Sequence, residues 1–291
     1  MLVVDKPPGV TSHDVVAMAR RATGEKRVGH TGTLDPMATG VLPLACGRAT
    51  RLARFLAAAD KDYDAEIRLG LATDTYDVTG REVTRTGRSA SRDEIVAALG
   101  SLTGAYLQAP PPYSAKKIGG RRAYDLARAD VAVQPAPVPV KVGRLDLVDL
   151  GESVVTVTLT CSAGFYVRSL AHELGVRVGT GACLQALRRT RSGDFNLDQA
   201  VTVEALMATP AETASRAVTM EKLLPGMPAV TLTEQGREWV SHGRVIGLRQ
   251  VSGPLPAGAP WVRLLGPGGT LVALGQPAEP DSSLHPSVVL I

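Results

Sequence analysis

The sequence predicts a mixed α/β fold built around a largely antiparallel sheet. Segments with helical apolar spacing, which begin at capping residues, alternate along the chain with short runs rich in β-branched residues. Two such runs, residues 138–150 and 153–161, are separated by a Gly151-Glu152 turn and predict an antiparallel hairpin. With 291 residues, 44% of them hydrophobic, the chain can bury a sizeable core.

The first elements are a strand and a capped helix. Residues 2–6 are expected to form the strand. Thr11 or Ser12 is a suitable cap for a helix that runs to Thr23 and stops at the glycine that follows. Next we expect a buried strand at 41–45, a short helix with Leu52, Phe55, Leu56 and Ala59 on one face, and a strand with Tyr63, Ala65, Ile67 and Leu69 on its apolar side.

The same alternation continues to the end of the chain. Ser91 and Glu94 form a capping box for a helix through Leu99. A helix over about 166–176 carries Arg168 in its first turn, where the helix dipole disfavours a cation, so an acidic partner is indicated. The remaining predicted elements are strands at 106–108 and 184–190, a short helix and connector within 200–227, a helix over 233–240 capped by Thr233, and strands at 245–248, 261–265, 271–274 and 288–291.

Composition limits the classes of function. The 32 basic and 28 acidic residues give a net charge of only +4, so any surface for a polyanion must come from local clustering. Cys46, Cys161 and Cys183 are odd in number and widely spaced, which indicates buried thiols in a reducing compartment. The chain has no signal-like segment and no apolar run of membrane-spanning length, so we expect a cytoplasmic protein without membrane contact.

The most informative stretch is the loop from Gly29 to Gly40, with the sequence GHTGTLDPMATG. Its glycines permit tight turns and close approach of a ligand, and Pro36 biases Asp35 towards an extended conformation. The stretch therefore fits an active-site loop that presents one carboxylate. Taken alone, its local chemistry favours a surface Asp-Pro turn over an active-site loop.

Two motifs that suggest other chemistry are incomplete. His172-Glu173 lacks the second histidine of a zinc-binding helix, because position 176 is valine. Gly179-x-Gly181 lacks the third glycine of a dinucleotide-binding turn. The polar segment 73–77 contains two aspartates without further metal-ligand spacing and is expected to be a solvated turn. We therefore predict no metal and no cofactor.

Residues 113–128 differ in character from the rest of the chain. Five basic residues stand against one acidic residue, tyrosines and glycines are interleaved with them, and three prolines precede them at 110–112. Such a run is often only a solvated face, but this mixture is typical of RNA contact through phosphates and stacked bases. We expect Lys116, Lys117, Arg121 and Arg122 to contact RNA. Arg189 belongs to a second basic cluster, in the strand at 184–190.

Three stretches together point to a known family: GHTGTLDPMATGVLPL, then Lys61-Asp62-Tyr63, then GFYVR ending at Arg168. In this order they resemble the TruB family of bacterial tRNA pseudouridine synthases, over residues 3 to about 224. The resemblance implies a pseudouridine synthase domain over 1–227, with a thumb-like RNA-binding insertion at about 110–135, and a small PUA-like β-barrel over 228–291. It also implies that uridine-55 in the TΨC loop of tRNA is isomerised to pseudouridine without a cofactor.

The resemblance also implies roles for single residues. Asp35 matches the catalytic nucleophile, Arg168 matches the arginine that pairs with it, and Asp77 matches an acid that holds that arginine. Tyr63 matches the residue that stacks on the target uracil and is a candidate base. By the same resemblance the substrate-pocket positions are His30, Tyr166 and Leu187, and His30 is a candidate to fill the space left by a flipped base.

The resemblance implies tRNA as partner and a protein that acts alone, expected to be a monomer. Relatives that use a guide RNA lack the thumb insertion. An alternative is a tRNA-folding helper in which catalysis is secondary. A retaining glycosidase would need a second catalytic carboxylate, which no motif identifies. Attack at C1′, elimination to a glycal and addition to C6 all remain open as routes for the aspartate.

Overall fold

A computed structural model of the chain describes residues 1–114, 117–118, 121–122, 135–256, 258–279 and 282–291. The segment 113–128, which is predicted to contact RNA and is called the arm below, falls largely between these ranges. Lys116 lies outside the described residues. For Lys117, Arg121 and Arg122 only the backbone is described, in two short antiparallel strands, Lys117–Ile118 and Arg121–Arg122.

The strands follow the predicted order, with several short additions. They are β1 Leu2–Lys6, β2 Val28–His30, β3 Thr39–Cys46, β4 Lys61–Leu69, β5 Leu71–Thr73, β6 Glu82–Arg85, β7 Gly104–Gln108, β8 Lys117–Ile118, β9 Arg121–Arg122, β10 Val138–Leu150, β11 Val154–Cys161, β12 Ala182–Ser192, β13 Phe195–Asn196, β14 Val201–Thr202, β15 Ala229–Leu232, β16 Ile246–Gly247, β17 Val251–Ser252, β18 Val262–Leu265, β19 Leu271–Ala278 and β20 Ser283–Val289.

The helices begin where capping residues predict. Thr11 and Asp14 form a reciprocal capping box before the first helix, and Gly24 ends that helix with a left-handed φ of 70°. Ser91 and Thr233 cap later helices in the same way, each accepting a backbone N–H. The helices are α1 Ser12–Thr23, α2 Ala53–Ala57, α3 Arg92–Ser101, α4 Val167–Arg177, α5 Val203–Ala208, α6 Pro210–Ser215 and α7 Glu234–Ser241, with 3₁₀ helices at Gly47–Leu52, Leu197–Gln199, Met220–Lys222 and Leu248–Gln250.

A ten-stranded sheet forms the larger part of the molecule. Its strand order is β14-β1-β3-β12-β4-β11-β10-β7, with β2 paired to β3 and β13 paired to β12. Most neighbours are antiparallel, including the predicted hairpin of β10 and β11, whereas the β1–β14 and β3–β12 pairs are parallel. The prediction of a mixed fold on a largely antiparallel sheet is confirmed.

A second, barrel-like sheet follows at the C-terminal end. It has the strand order β16-β20-β19-β18-β15-β17. The predicted strands at 271–274 and 288–291 are too short, because the observed β19 and β20 contain Pro277 and Pro286, which conceal a strand pattern in the sequence. The predicted strand at 245–248 is reduced to two residues before a 3₁₀ helix, and β15 was not predicted.

A buried cluster joins the two sheets. It combines Val41, Leu52 and Leu56 from the first part of the chain with Leu274 and Leu290 from the second. Next to it, the rings of Phe55 and Trp261 meet edge-to-face at 4.7 Å. Burial of apolar surface therefore fixes the C-terminal sheet against the large one.

The remaining expectations concern cysteines and membranes. Cys161 and Cys183 are buried as predicted, whereas Cys46 is only half-buried. Among the helices of the described ranges, none has both the length and the apolar character needed to cross a membrane.

Candidate active site

A cavity of about 860 Å³ opens beside the loop between β2 and β3. Its wall combines this loop with β4, the turn after β5, the start of α4 and the middle of β12. The predicted site residues that line it are Asp35, Tyr63, Asp77, Arg168, His30, Tyr166, Leu187 and Arg189. The fold therefore brings together residues that are widely separated in the sequence.

The Asp35 loop is pinned on both sides of the aspartate. On one side, Ser12 at the start of α1 accepts the Leu34 N–H at 2.8 Å, and its hydroxyl donates to the Leu34 carbonyl at 3.0 Å. On the other side, the Gly9 N–H donates to the Pro36 carbonyl at 2.9 Å. Because a buried polar backbone needs partners, these bonds fix the path of the loop and present the carboxylate to the cavity.

Lys6 also holds the loop and was not among the predicted site residues. It is fully buried, and its ammonium group donates to the carbonyls of Pro7, Val10 and Pro36 at 2.8, 2.8 and 3.1 Å. Burial lowers the pKa of Lys6 to about 8, against the opposing attraction of Asp35 and Asp14. The sequence signal for this buried lysine is its position at the end of an apolar strand, directly before Pro-Pro-Gly.

Arg189, predicted with the substrate-contacting residues, is directed towards the loop. The side chain is buried, and its guanidinium donates to the carbonyls of Val41 at 2.7 Å, Gly32 at 3.0 Å and Thr33 at 3.5 Å. All three acceptors belong to the Asp35 loop or to the strand after it. The described contacts of Arg189 therefore hold the loop in place.

Gly40 lies where the loop joins β3 and packs directly against the Arg189 backbone. Its φ is +100°, and a Cβ atom there would lie 2.2 Å from the Arg189 carbonyl oxygen. We expect Gly40→Ala to lower the free energy of unfolding by about 3 kcal/mol or more, through backbone strain and overlap. Gly9→Ala is the matched control, because φ there is +85° with no atom within 4 Å of the added Cβ. Equal losses in chemical denaturation would contradict the close approach at Gly40.

Arg168 connects the loop to the rest of the site. Its Nε lies 2.8 Å from Asp35 Oδ2 and its Nη2 lies 3.2 Å from Asp35 Oδ1, so the pair is bidentate. The side chain of Arg168 is 9% exposed and that of Asp35 is 36% exposed. The acidic partner predicted from the position of Arg168 in the first helical turn is confirmed. The carboxylate remains open to the cavity while the guanidinium is enclosed.

The Arg168 guanidinium also contacts three residues other than Asp35. Nη1 donates to the Thr75 carbonyl at 3.0 Å and lies 3.7 Å from Asp77 Oδ2, and Nη2 donates to the Tyr113 carbonyl at 3.0 Å. All three guanidinium nitrogens of Arg168 therefore have acceptors. This arrangement leaves one orientation for the fork that faces Asp35.

Asp77 is buried, so the expectation of a solvated turn is wrong for this residue. Its Oδ1 accepts from the Thr79 N–H at 2.9 Å, the Thr79 hydroxyl at 2.5 Å and the Thr75 hydroxyl at 3.0 Å. These bonds and the nearby Arg168 compensate for the burial of the charge. The polar local sequence predicted exposure of Asp77. The residue is buried because the turn packs against β12 and α4.

Three further wall residues are Tyr63, His30 and Tyr166. Tyr63 is buried, which raises the pKa of its phenol, while Arg189 acts in the opposite direction. Burial, with Arg189 and His13, lowers the pKa of His30, and the His30 Nδ1 is buried without a partner among the described residues. Tyr166 is held by Gln108, which accepts its N–H at 2.9 Å and donates to its carbonyl at 3.1 Å.

Together these groups form an oriented carboxylate on a wall that also carries Tyr63, Tyr166 and Leu187. Such a carboxylate can act as a nucleophile or stabilise a cationic centre. Among the described residues, no group of three or more His, Cys, Asp or Glu side chains is placed to hold a metal ion.

The chain is similar to a known protein family and to bacterial relatives over most of its length. Residues 20–167 match the N-terminal domain of TruB family pseudouridylate synthases, and residues 168–227 match the tRNA pseudouridylate synthase B C-terminal domain. A tRNA pseudouridine synthase B of Solibacter usitatus is 42% identical over 100% of this chain and 99% of its own length. The enzyme of the same name from Symbiobacterium thermophilum is 48% identical over 82% of this chain and 80% of its own length.

Solved structures give the same fold. A Cbf5-Nop10-Gar1 complex contains a chain that is 27% identical, with a TM-score of 0.74 over 100% of this chain and 84% of that chain. A chain in an H/ACA RNP bound to a substrate RNA is 24% identical with the same TM-score of 0.74, and it supports the fold alone. With family matches from residue 20 to residue 227 and relatives this similar, the chain belongs to the TruB family of pseudouridylate synthases.

Proposed function

We propose that this enzyme isomerises uridine-55 in the TΨC loop of tRNA to pseudouridine, alone and without a guide RNA. Its membership of the TruB family and the names of its relatives support a tRNA pseudouridine synthase. The observation that carries the finer proposal is the bidentate pair of Asp35 and Arg168 on the cavity wall. It supplies one oriented, accessible carboxylate, which is the group that the isomerisation needs.

The reaction breaks the N1–C1′ bond of uridine, turns the uracil and joins C5 to C1′. No external group and no change of redox state is required. In our proposal Asp35 is the nucleophile that traps the sugar or the base, and Arg168 fixes the direction of its carboxylate. Attack at C1′ and addition to C6 both use the carboxylate as the nucleophile, whereas elimination to a glycal would use the same carboxylate as a base.

The target base has to leave its stack to reach Asp35. Base flipping costs on the order of a few kcal/mol, which contacts in the pocket must offset. In our proposal Tyr63 stacks on the uracil and Leu187 and Tyr166 complete the pocket, since all three line the same cavity as Asp35. His30 lies on that wall with a lowered pKa, so its neutral ring can fill the space that the base leaves.

The experiment that tests the proposal measures tritium release. The purified chain alone is incubated with a tRNA transcript that carries tritium at every uridine C5, because that hydrogen leaves when C5 becomes the glycosidic carbon. We expect release equal to one uridine per tRNA, and none from a matched transcript with cytidine at position 55. Release from the cytidine-55 transcript would refute uridine-55 as the target. No release from either transcript would refute the proposal that the protein acts on tRNA alone.

The four basic residues of the arm are expected to neutralise tRNA phosphates. Neutralising Lys116, Lys117, Arg121 and Arg122 together should weaken tRNA binding and flatten its log–log salt dependence. The slope should fall by roughly one unit for each phosphate that the protein no longer neutralises. Titrations at several salt concentrations measure the slope.

The matched control removes the same charge from another surface, at Arg81, Arg85, Arg88 and Arg92, all of which are exposed. We expect the control protein to keep the wild-type slope. Equal slopes for the arm variant and the wild type would show that the arm is a solvated loop.

A further inference from the structure

One non-glycine residue beside the site has a backbone conformation that side chains disfavour. Tyr76 has a φ of +65°, in the left-handed region. It lies between Thr75 and Asp77, which supply the turn's two contacts to Arg168: the Thr75 carbonyl at 3.0 Å and Asp77 Oδ2 at 3.7 Å. Such strain persists only where surrounding contacts impose it.

The side chain of Tyr76 provides one of those contacts. Its ring lies flat on the imidazole of His172, with centroids 3.9 Å apart and planes 6° apart. His172 follows Arg168 by four residues in α4, so the two side chains lie on the same helix face. On this face of α4, the Arg168 guanidinium contacts the oxygens of the turn, and the His172 imidazole stacks on the ring of Tyr76.

Backbone bonds attach the same turn to a different element. The Leu184 N–H of β12 donates to the Tyr76 carbonyl at 2.9 Å, and the Val78 N–H donates to the Leu184 carbonyl at 2.9 Å. These bonds fix the turn relative to β12 but not relative to α4. The stack on His172 is a second connection between the turn and α4, in addition to the contacts of Arg168 itself.

We propose that Tyr76 and His172 are a positioning pair, which sets the Thr75–Asp77 turn against α4 and thereby holds the Arg168 fork in line with Asp35. Neither ring lines the cavity that contains Asp35, and in this proposal the pair acts through Arg168. The inference rests on the proposed function of Asp35 and Arg168. It also gives a role to His172, which belongs to a sequence motif that metal binding did not explain.

The test combines removal and replacement of each ring. Tyr76→Gly removes the ring and relieves the φ strain, whereas Tyr76→Phe keeps the ring. His172→Ala and His172→Phe form the equivalent pair. Single-turnover tritium release, tRNA affinity and the unfolding midpoint are measured for each variant. Val176→Ala is the matched control, because Val176 lies one turn further along α4 with 63% of its surface exposed.

We expect Tyr76→Gly and His172→Ala each to slow single turnover by about tenfold, the scale of a small misplacement of a reacting group, with unchanged tRNA affinity. The two phenylalanine variants and Val176→Ala should react within about twofold of the wild type. The double variant should be no slower than either single variant, because both remove the same stack. Tritium release by the wild-type protein tests the proposed function separately. Two results would overturn the positioning role and leave the proposed function intact. One is a wild-type single-turnover rate in Tyr76→Gly and His172→Ala, and the other is a double variant whose rate loss is the product of the two single losses.

Discussion

Asp35→Asn is expected to abolish turnover and to leave tRNA binding nearly intact. Asparagine has the same shape but no negative charge, so it cannot act as the nucleophile. Removal of a nucleophile typically costs several orders of magnitude, and we expect single-turnover release to fall by roughly 10⁴-fold or more. Arg168 keeps its acceptors at Asp77, Thr75 and Tyr113, so the pocket should retain its shape. We expect tRNA affinity within about threefold of the wild type.

This variant also separates the enzyme from a tRNA-folding helper. If refolding of a misfolded tRNA survives in Asp35→Asn while tritium release is lost, the chain has both roles and Asp35 serves only the chemistry. The control is the unfolding midpoint, which should stay close to that of the wild type. Normal tritium release by Asp35→Asn would remove Asp35 from the mechanism.

Arg168→Lys is expected to lower the single-turnover rate by on the order of a hundredfold, the scale of a misplaced reacting group. Lysine keeps the positive charge but offers one nitrogen in place of a planar fork. The fork of Arg168 holds both oxygens of Asp35 and also reaches Thr75, Tyr113 and Asp77. A single ammonium cannot satisfy these acceptors together, so the carboxylate should lose its fixed direction.

The matched control is Arg191→Lys. Arg191 forms a bidentate pair with Asp62, at 2.6 and 2.8 Å, and neither residue lines the cavity. Both substitutions therefore break the same kind of pair, but only one is at the site. We expect Arg191→Lys to react at the wild-type rate. A near-normal rate for Arg168→Lys would reduce Arg168 to a neutralising charge, and loss of tRNA affinity would make it an RNA contact.

Several parts of this protein could be predicted from local sequence. Capping residues predicted the starts of α1, α3 and α7, and the alternation of Tyr63, Ala65, Ile67 and Leu69 predicted the buried face of β4. The position of Arg168 in a first helical turn predicted an acidic partner. In each case the physical cause acts within a few residues, so a short window contains it.

Other features depend on elements that meet only in the folded chain. Asp35 and Arg168 are 133 residues apart, and they meet because β3 pairs in parallel with β12 beside α4. Local sequence alone indicated a solvated Asp77 and did not distinguish Lys6 and Arg189 from surface cations. Each of them also has a partner that is distant in the sequence: Arg168 for Asp77, the Pro36 carbonyl for Lys6, and the carbonyls of Gly32, Thr33 and Val41 for Arg189. Sequence by itself therefore determined the local elements and the residue types of the site. Tertiary structure decided which charges are buried, because that depends on whether distant groups replace the water lost on folding.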